Sequence, residues 1–149
     1  MGNYIAKKIL KKRQNFKSFS LEGLKTNCKI LSVYDGDTCT IGFIRRGEFF
    51  QTKIRMLGYD SPEMKPKLNV PNRDKEIAAA KKAKQFLIDL TKDKIIWVEF
   101  AKFDKYGRPL ATLFIKYNIY CCMSTETNIN ELMVEKGHGY RYDGGTKKK

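Results

Sequence analysis

Between positions 28 and 57, apolar and β-branched residues come in three short runs: CKILSVY (28–34), TCTIGFI (38–44) and FFQTKIRML (49–57). Runs of this length and composition, separated by DGD and then RRGE, predict a meander of three antiparallel strands. In the third run the two-residue period puts Lys53, Arg55 and Leu57 on one face. The proline-bearing stretch MKPKLNVPNR predicts a long exposed loop. After it, DKEIAAAKKAKQFLIDL (74–90) carries Ile77, Ala80, Ala83 or Lys84, and Leu87 at helical spacing, in a sequence of good helix formers. KIIWVEF (94–100) and PLATLFI (109–115) read as two further strands, with DKYGR between them and Trp97 in the core. A second helix is expected over 129–136, stopped at Gly137. The tail YRYDGGTKKK reads as irregular and basic.

Five short strands with a helix between the third and fourth outline an OB-fold barrel in an α+β chain, with two to three helices in all. That fold commonly takes oligonucleotides, although a fold does not by itself decide a function. The barrel domain is expected over 24–149, preceded by a basic arm over 1–23. The arm's first twenty residues hold six lysines and arginines and no acid. They permit three readings besides a plain solvated arm. Tyr4, Ile5, Ile9 and Leu10 can line one side of an amphipathic helix. The segment also has the composition of a transit peptide. Gly2 suits N-myristoylation, save that Ala6 stands where Ser or Thr is preferred. An acyl chain beside Lys7, Lys8, Lys11, Lys12 and Arg13 would give a weak membrane association its two signals.

The charge balance adds a partner class. Thirty basic against sixteen acidic side chains leave the 149-residue chain at +14, an excess that attracts polyanions. Its 42% hydrophobic content is that of a folded domain rather than a disordered one. Cys28, Cys39, Cys121 and Cys122 form no C-x-x-C, and His138 has no cysteine near it in sequence, which argues against zinc. Reduced thiols in an intracellular protein are the simpler expectation. No apolar run approaches a membrane span.

Three patches remain: YDGDT (34–38), IRMLGYDSPE (54–63) and DKYGRPLA (104–111). Alone, DG is mainly a hairpin signal, an isolated strand arginine is commonly a surface charge, and DSP is an ordinary turn. Together, in this order, they resemble the staphylococcal nuclease family, from about Lys29 to Gly139. The resemblance implies a Ca²⁺-dependent nuclease of low sequence specificity, cutting single-stranded or locally opened DNA and RNA and leaving 3′-phosphate ends. It implies Asp37, Asp60 and the carbonyl of Ser61 as cation ligands, with Ser61 standing where the family generally has Thr. Glu63 matches the family's general base. Arg55 and Arg108 match its phosphate-binding arginines, Asp35 an acid close behind the ligands, and Lys105 and Tyr106 residues near the nucleotide's other phosphate. Tyr140 or Tyr142 answers to a tyrosine under the base, because the spacing after Gly137 departs from the family pattern. The chemistry agrees: hard oxygen donors suit Ca²⁺, and attack on an anionic phosphodiester needs its charge neutralised.

Two other readings compete. One is a non-catalytic nucleic-acid-binding module on the same fold, which the survival of all five charged positions (Asp37, Arg55, Asp60, Glu63, Arg108) disfavours. The other is a glycosidase carboxylate pair, which leaves the arginines and the positive charge without a purpose. A monomer is expected.

Overall fold

The computed structural model describes residues 2–13, 15, 18–69, 71–118 and 124–142. Sequence expectations about Cys121, Cys122 and positions 143–149 of the tail lie outside the described residues. Three strands, β1 (Lys25–Asp35), β2 (Thr38–Arg45) and β3 (Glu48–Met56), form the expected meander. The Arg46-Gly47 tip of its second hairpin takes two successive positive φ angles, 52° and 82°, which suit the twist of a tight hairpin. Beyond a two-residue strand β4 (Tyr59–Asp60), helix α2 (Arg73–Thr91) leads to β5 (Ile96–Phe103) and β6 (Pro109–Asn118).

Strand order is β3-β2-β1-β5-β6, and parallel pairing of β3 with β6, Arg55 opposite Leu110, closes the barrel. This is the five-stranded α+β barrel that the sequence predicts. Two register shifts in β1, between Ile30 and Ser32 and between Val33 and Asp35, let that strand bend around the closure. Alternate residues fill the interior: Cys39, Ile41 and Phe43, Ile54 and Met56, Ile96, Val98 and Phe100, Ala111, Leu113 and Ile115. Ala83 and Leu87 of α2 cover it on one side.

Helix α3 (Ile129–Glu135) contributes Ile129 and Met133, is capped by the Asn128 side chain on the Glu131 amide, and ends before Gly137 at φ 74°. Buried Asn130 bolts α3 down: its Oδ1 accepts from the Leu113 amide, and its Nδ2 donates to the Leu57 and Ala111 carbonyls.

The structure departs from the sequence expectation in three places, and at the N-terminus it takes one of the readings that the sequence leaves open. A strand β7 (Ser124–Asn128) pairs with β6, and the start of the tail is ordered as a two-residue strand β8 (Tyr140–Arg141) against β4. Trp97 faces outward, half-buried, with Lys116 Nζ 3.7 Å from its ring centre, because its buried neighbours Ile96 and Val98 claim the interior. A helix α1 (Gly2–Lys12) forms at the N-terminus, and Tyr4 to Lys12 are all exposed. At about 100° per residue, Ile5, Ala6, Ile9 and Leu10 share one face, whereas Tyr4 falls among the four lysines opposite. Among the described residues, no helix is long and apolar enough to cross a membrane.

Candidate active site

β2–β3 pairing sets Thr38 opposite Arg55, so Asp37, one residue earlier in the turn, arrives beside the arginine. The Met56 amide donates to the Asp37 carbonyl at 2.8 Å and fixes that approach. Gly36 is required here by space, not by its φ: a Cβ on it would stand 2.8 Å from both Ala83 Cβ and Ser61 Cβ. The DGD turn is thereby pressed against α2 and against the DSP segment. Buried Tyr59 adds a hydroxyl donating to the Gly36 carbonyl.

Asp37 and Asp60 are 3% and 2% exposed, and both carboxylates meet the Arg55 guanidinium. Nη1 donates to Asp37 Oδ1 at 3.2 Å, and Nη2 donates to Asp60 Oδ1. The remaining Asp37 oxygen accepts from the Ser61 amide at 2.9 Å, and Thr38 Oγ1 donates to Asp37 Oδ1 at 2.7 Å. Asp60 Oδ2 accepts from the Tyr140 hydroxyl at 3.1 Å. Carboxylates 23 residues apart thus converge on one cation, the guanidinium. Burial works against the Arg55 charge, but Asp37 and Asp60 outweigh it and hold the group above its ordinary value. Asp35, whose Oδ1 accepts from the Asp37 amide, is pushed up to about 6 by burial and by the charge of Asp37. The corner holds more negative charge than one arginine neutralises.

That excess, on hard oxygen donors, is the chemistry that suits Ca²⁺, so the residues present fit such an ion. Among the described residues there is no cluster of three or more His, Cys, Asp or Glu side chains fit to hold a metal; the side-chain oxygens gathered on Arg55 are those of two carboxylates, Asp37 and Asp60. No thiol or imidazole joins them.

Barrel closure brings the second arginine. Because Leu110 pairs with Arg55, Arg108 just before β6 opens at the same end. Asp104 holds it there, accepting from Arg108 Nε at 2.7 Å and from the Arg108 and Tyr106 amides at 2.9 and 2.8 Å. Partial burial opposes the Asp104 charge, yet these bonds hold its carboxyl below the usual range. The sequence reading passed over Asp104, although an acid four residues before an arginine, with glycine between, was the available signal.

Among the described residues, two clefts join Arg55 with both Asp60 and Glu63. The larger, about 580 Å³, is lined by Arg55, Asp60, Glu63, Lys105, Tyr106, Arg108 and Tyr142 among others. The smaller, about 240 Å³, shares Arg55, Asp60 and Glu63 and extends to Asp35, Asp37 and Ser61. Glu63 therefore borders both, its amide donating to Glu76 Oε1 at 3.1 Å. Lys105 Nζ and the Arg108 guanidinium lie 5.1 and 5.5 Å from the Tyr106 ring centre. The two tyrosines left open by the sequence separate: Tyr142 lines the larger cleft, whereas Tyr140 bonds Asp60.

A family model for staphylococcal nuclease homologues matches residues 53–149. The chain belongs to the staphylococcal nuclease family. A micrococcal nuclease of Shigella flexneri is 28% identical over 118 residues, 78% of this chain and 59% of that protein. An uncharacterized protein of Methanocaldococcus jannaschii is 32% identical over 129 residues, 76% of this chain and 58% of its own length. The chain spans less than three fifths of either relative.

Proposed function

We propose that the protein is a Ca²⁺-dependent nuclease that hydrolyses phosphodiester bonds of DNA and RNA with little sequence preference. The observation that carries this reading is the bridging of Asp37 and Asp60 by Arg55 at the border of clefts shared with Glu63. Ca²⁺, held by Asp37, Asp60 and the Ser61 carbonyl, would supply charge neutralisation at the phosphate.

The protein's own groups supply the rest. Arg108 offers the fork of its two terminal nitrogens to the phosphate oxygens, and Arg55 the N–H donors that Asp37 and Asp60 leave, where charge grows in the transition state. Asp104 holds the Arg108 Nε at the loop and leaves its two terminal nitrogens to donate. Glu63 orients a water and takes its proton as the oxygen attacks phosphorus. The bond to the 5′-oxygen breaks, that oxygen takes a proton from solvent, and the phosphate stays on the 3′ side. Tyr142, with Lys105 and Tyr106, receives the nucleoside and its outer phosphate in the larger cleft. The chain acts on unpaired or locally opened strands as a monomer.

Digestion of single-stranded DNA in Ca²⁺, in chelator and in Mg²⁺ tests this, with end-group analysis of the products. Cleavage undiminished by chelator would remove the metal, and 5′-phosphate ends would reverse the assigned bond. Glu63→Gln should lower kcat by about 10²–10⁴ while nucleotide affinity is kept. A variant turning over at the native rate would take the base role from Glu63. Should it bind DNA but never cut, the non-catalytic reading prevails.

A further inference from the structure

A phosphodiester joins two nucleosides, and the reading above seats only one. The cleft beyond Arg55 from Tyr142 ends at Tyr34, the penultimate residue of β1. The residue is 54% exposed, and Lys53 Nζ lies 4.3 Å from the ring centre. Lys53 stands two residues before Arg55 on the same outward face of β3. The pair is thus tied through one strand to the arginine that faces the reacting phosphate. A cation resting on an exposed tyrosine contributes little to folding. It does fix the ring and put positive charge where a polyanion would pass. Lys65 lines this cleft as well, with Ser61, Pro62 and Met64 and, around Arg55, the acids Asp35, Asp37, Asp60 and Glu63; Lys53 reaches it only through the Tyr34 ring.

We propose that Tyr34, backed by Lys53, is a stacking platform for the base of the second nucleotide, across the scissile phosphate from Tyr106 and Tyr142. Every base offers a π-face, so such a platform grips the strand without choosing a sequence. It makes the site one for a dinucleotide step rather than for a single nucleotide. This rests on the nuclease reading but adds to it a residue and a ligand: a nucleobase with its flanking phosphate.

The test compares thymidylyl-thymidine with thymidine 5′-methyl phosphate and thymidine 3′-methyl phosphate, each hydrolysed in Ca²⁺. Wild type should prefer the dinucleotide to either ester. Tyr34→Ala should cut kcat/KM for the dinucleotide, and for the one ester whose base reaches Tyr34, by about tenfold through KM. The dinucleotide's advantage over the other ester then collapses by the same factor. Tyr34→Phe, which keeps the ring, should retain most of the wild-type value, and Lys53→Met should lose several-fold on the dinucleotide. Equal losses on all three substrates, or no loss, overturn the proposal. If wild type cleaves neither these three nor single-stranded DNA, the nuclease reading fails on its own account. Whenever these three go uncleaved, dinucleotide binding by calorimetry in chelator decides: a roughly tenfold weaker Kd in Tyr34→Ala upholds the platform, and an unchanged Kd rejects it.

Discussion

The Tyr140 hydroxyl donates to Asp60 Oδ2 at 3.1 Å across 80 residues of sequence. The bond is held by the two-residue pairing of β4 with β8, in which Asp60 stands opposite Tyr140. A buried carboxylate that also meets the Arg55 guanidinium is thereby fixed from behind by a segment that follows α3.

Tyr140→Phe should leave the fold intact and misalign Asp60 alone. Groups that orient metal ligands typically contribute about tenfold or more in metal affinity. The Ca²⁺ concentration giving half-maximal rate should therefore rise by about tenfold, with kcat at saturating Ca²⁺ largely preserved. A Ca²⁺ titration of activity reads this directly. An unmoved midpoint would mean that the hydroxyl does not position the ligand.

Arg55 gives a second prediction, because its guanidinium balances two buried carboxylates. Arg55→Gln leaves them facing each other without a cation. Its side chain is 19% exposed, so the loss should fall below that of a fully buried pair, about 1–3 kcal/mol in metal-free buffer. Ca²⁺ should recover part of that loss, since a cation returns to the same oxygens. Thermal unfolding of both proteins in chelator and in Ca²⁺ is the measurement. A deficit unaffected by Ca²⁺ would argue that the carboxylates do not share an ion.

The barrel was legible because its signals are local. Alternation marked each strand, alanine and lysine marked α2, and Gly137 marked the end of α3. The corner was legible through Asp37, Arg55, Asp60, Glu63 and Arg108, whose neighbours are as informative as they are. What escaped depends on distance or on polarity. STETN has no apolar alternation, so β7 left no trace. Asn130 looks like any helix asparagine until three backbone groups from β3's exit and β6 turn out to need it. Tyr140 and Tyr142 could not be told apart, because the difference is a hydrogen bond to residue 60. Lys53 read as one strand charge among several until Tyr34 came beneath it.

Cys28 and Cys39 are buried in the core. Burial pushes the Cys28 thiol from 9.0 up to about 12 and Cys39 higher still. Both thiols should resist iodoacetamide at pH 8 in the native state and react fully in denaturant, as peptide mass mapping would report. The linkage sign is fixed by the raised folded values. Below pH 9 the thiols are protonated in both states and cost nothing. Above it the unfolded chain gives up protons that the folded chain keeps, so stability should fall as pH rises from about 9 toward 12. Native labelling of Cys28 at pH 8 would contradict the packing of the barrel.

The exposed helix α1 is left for the surface it suits. Ile5, Ala6, Ile9 and Leu10 form an apolar stripe, and Lys7, Lys8, Lys11 and Lys12 lie opposite, without an acid in the helix. Nucleic acid would be served by the lysines alone, but an apolar stripe facing solvent is what an anionic lipid surface takes up. The 149-residue chain should therefore cosediment weakly with phosphatidylserine vesicles, each surface lysine near the headgroups contributing about 1 kcal/mol. Replacing Ile5 and Ile9 by Asn should abolish the binding even though the charge is unchanged. Raised salt should weaken it, as expected for a contact that also relies on charge. Vesicle binding that survives both Ile→Asn changes would make the contact purely electrostatic and return α1 to the role of a basic arm on the nucleic-acid track.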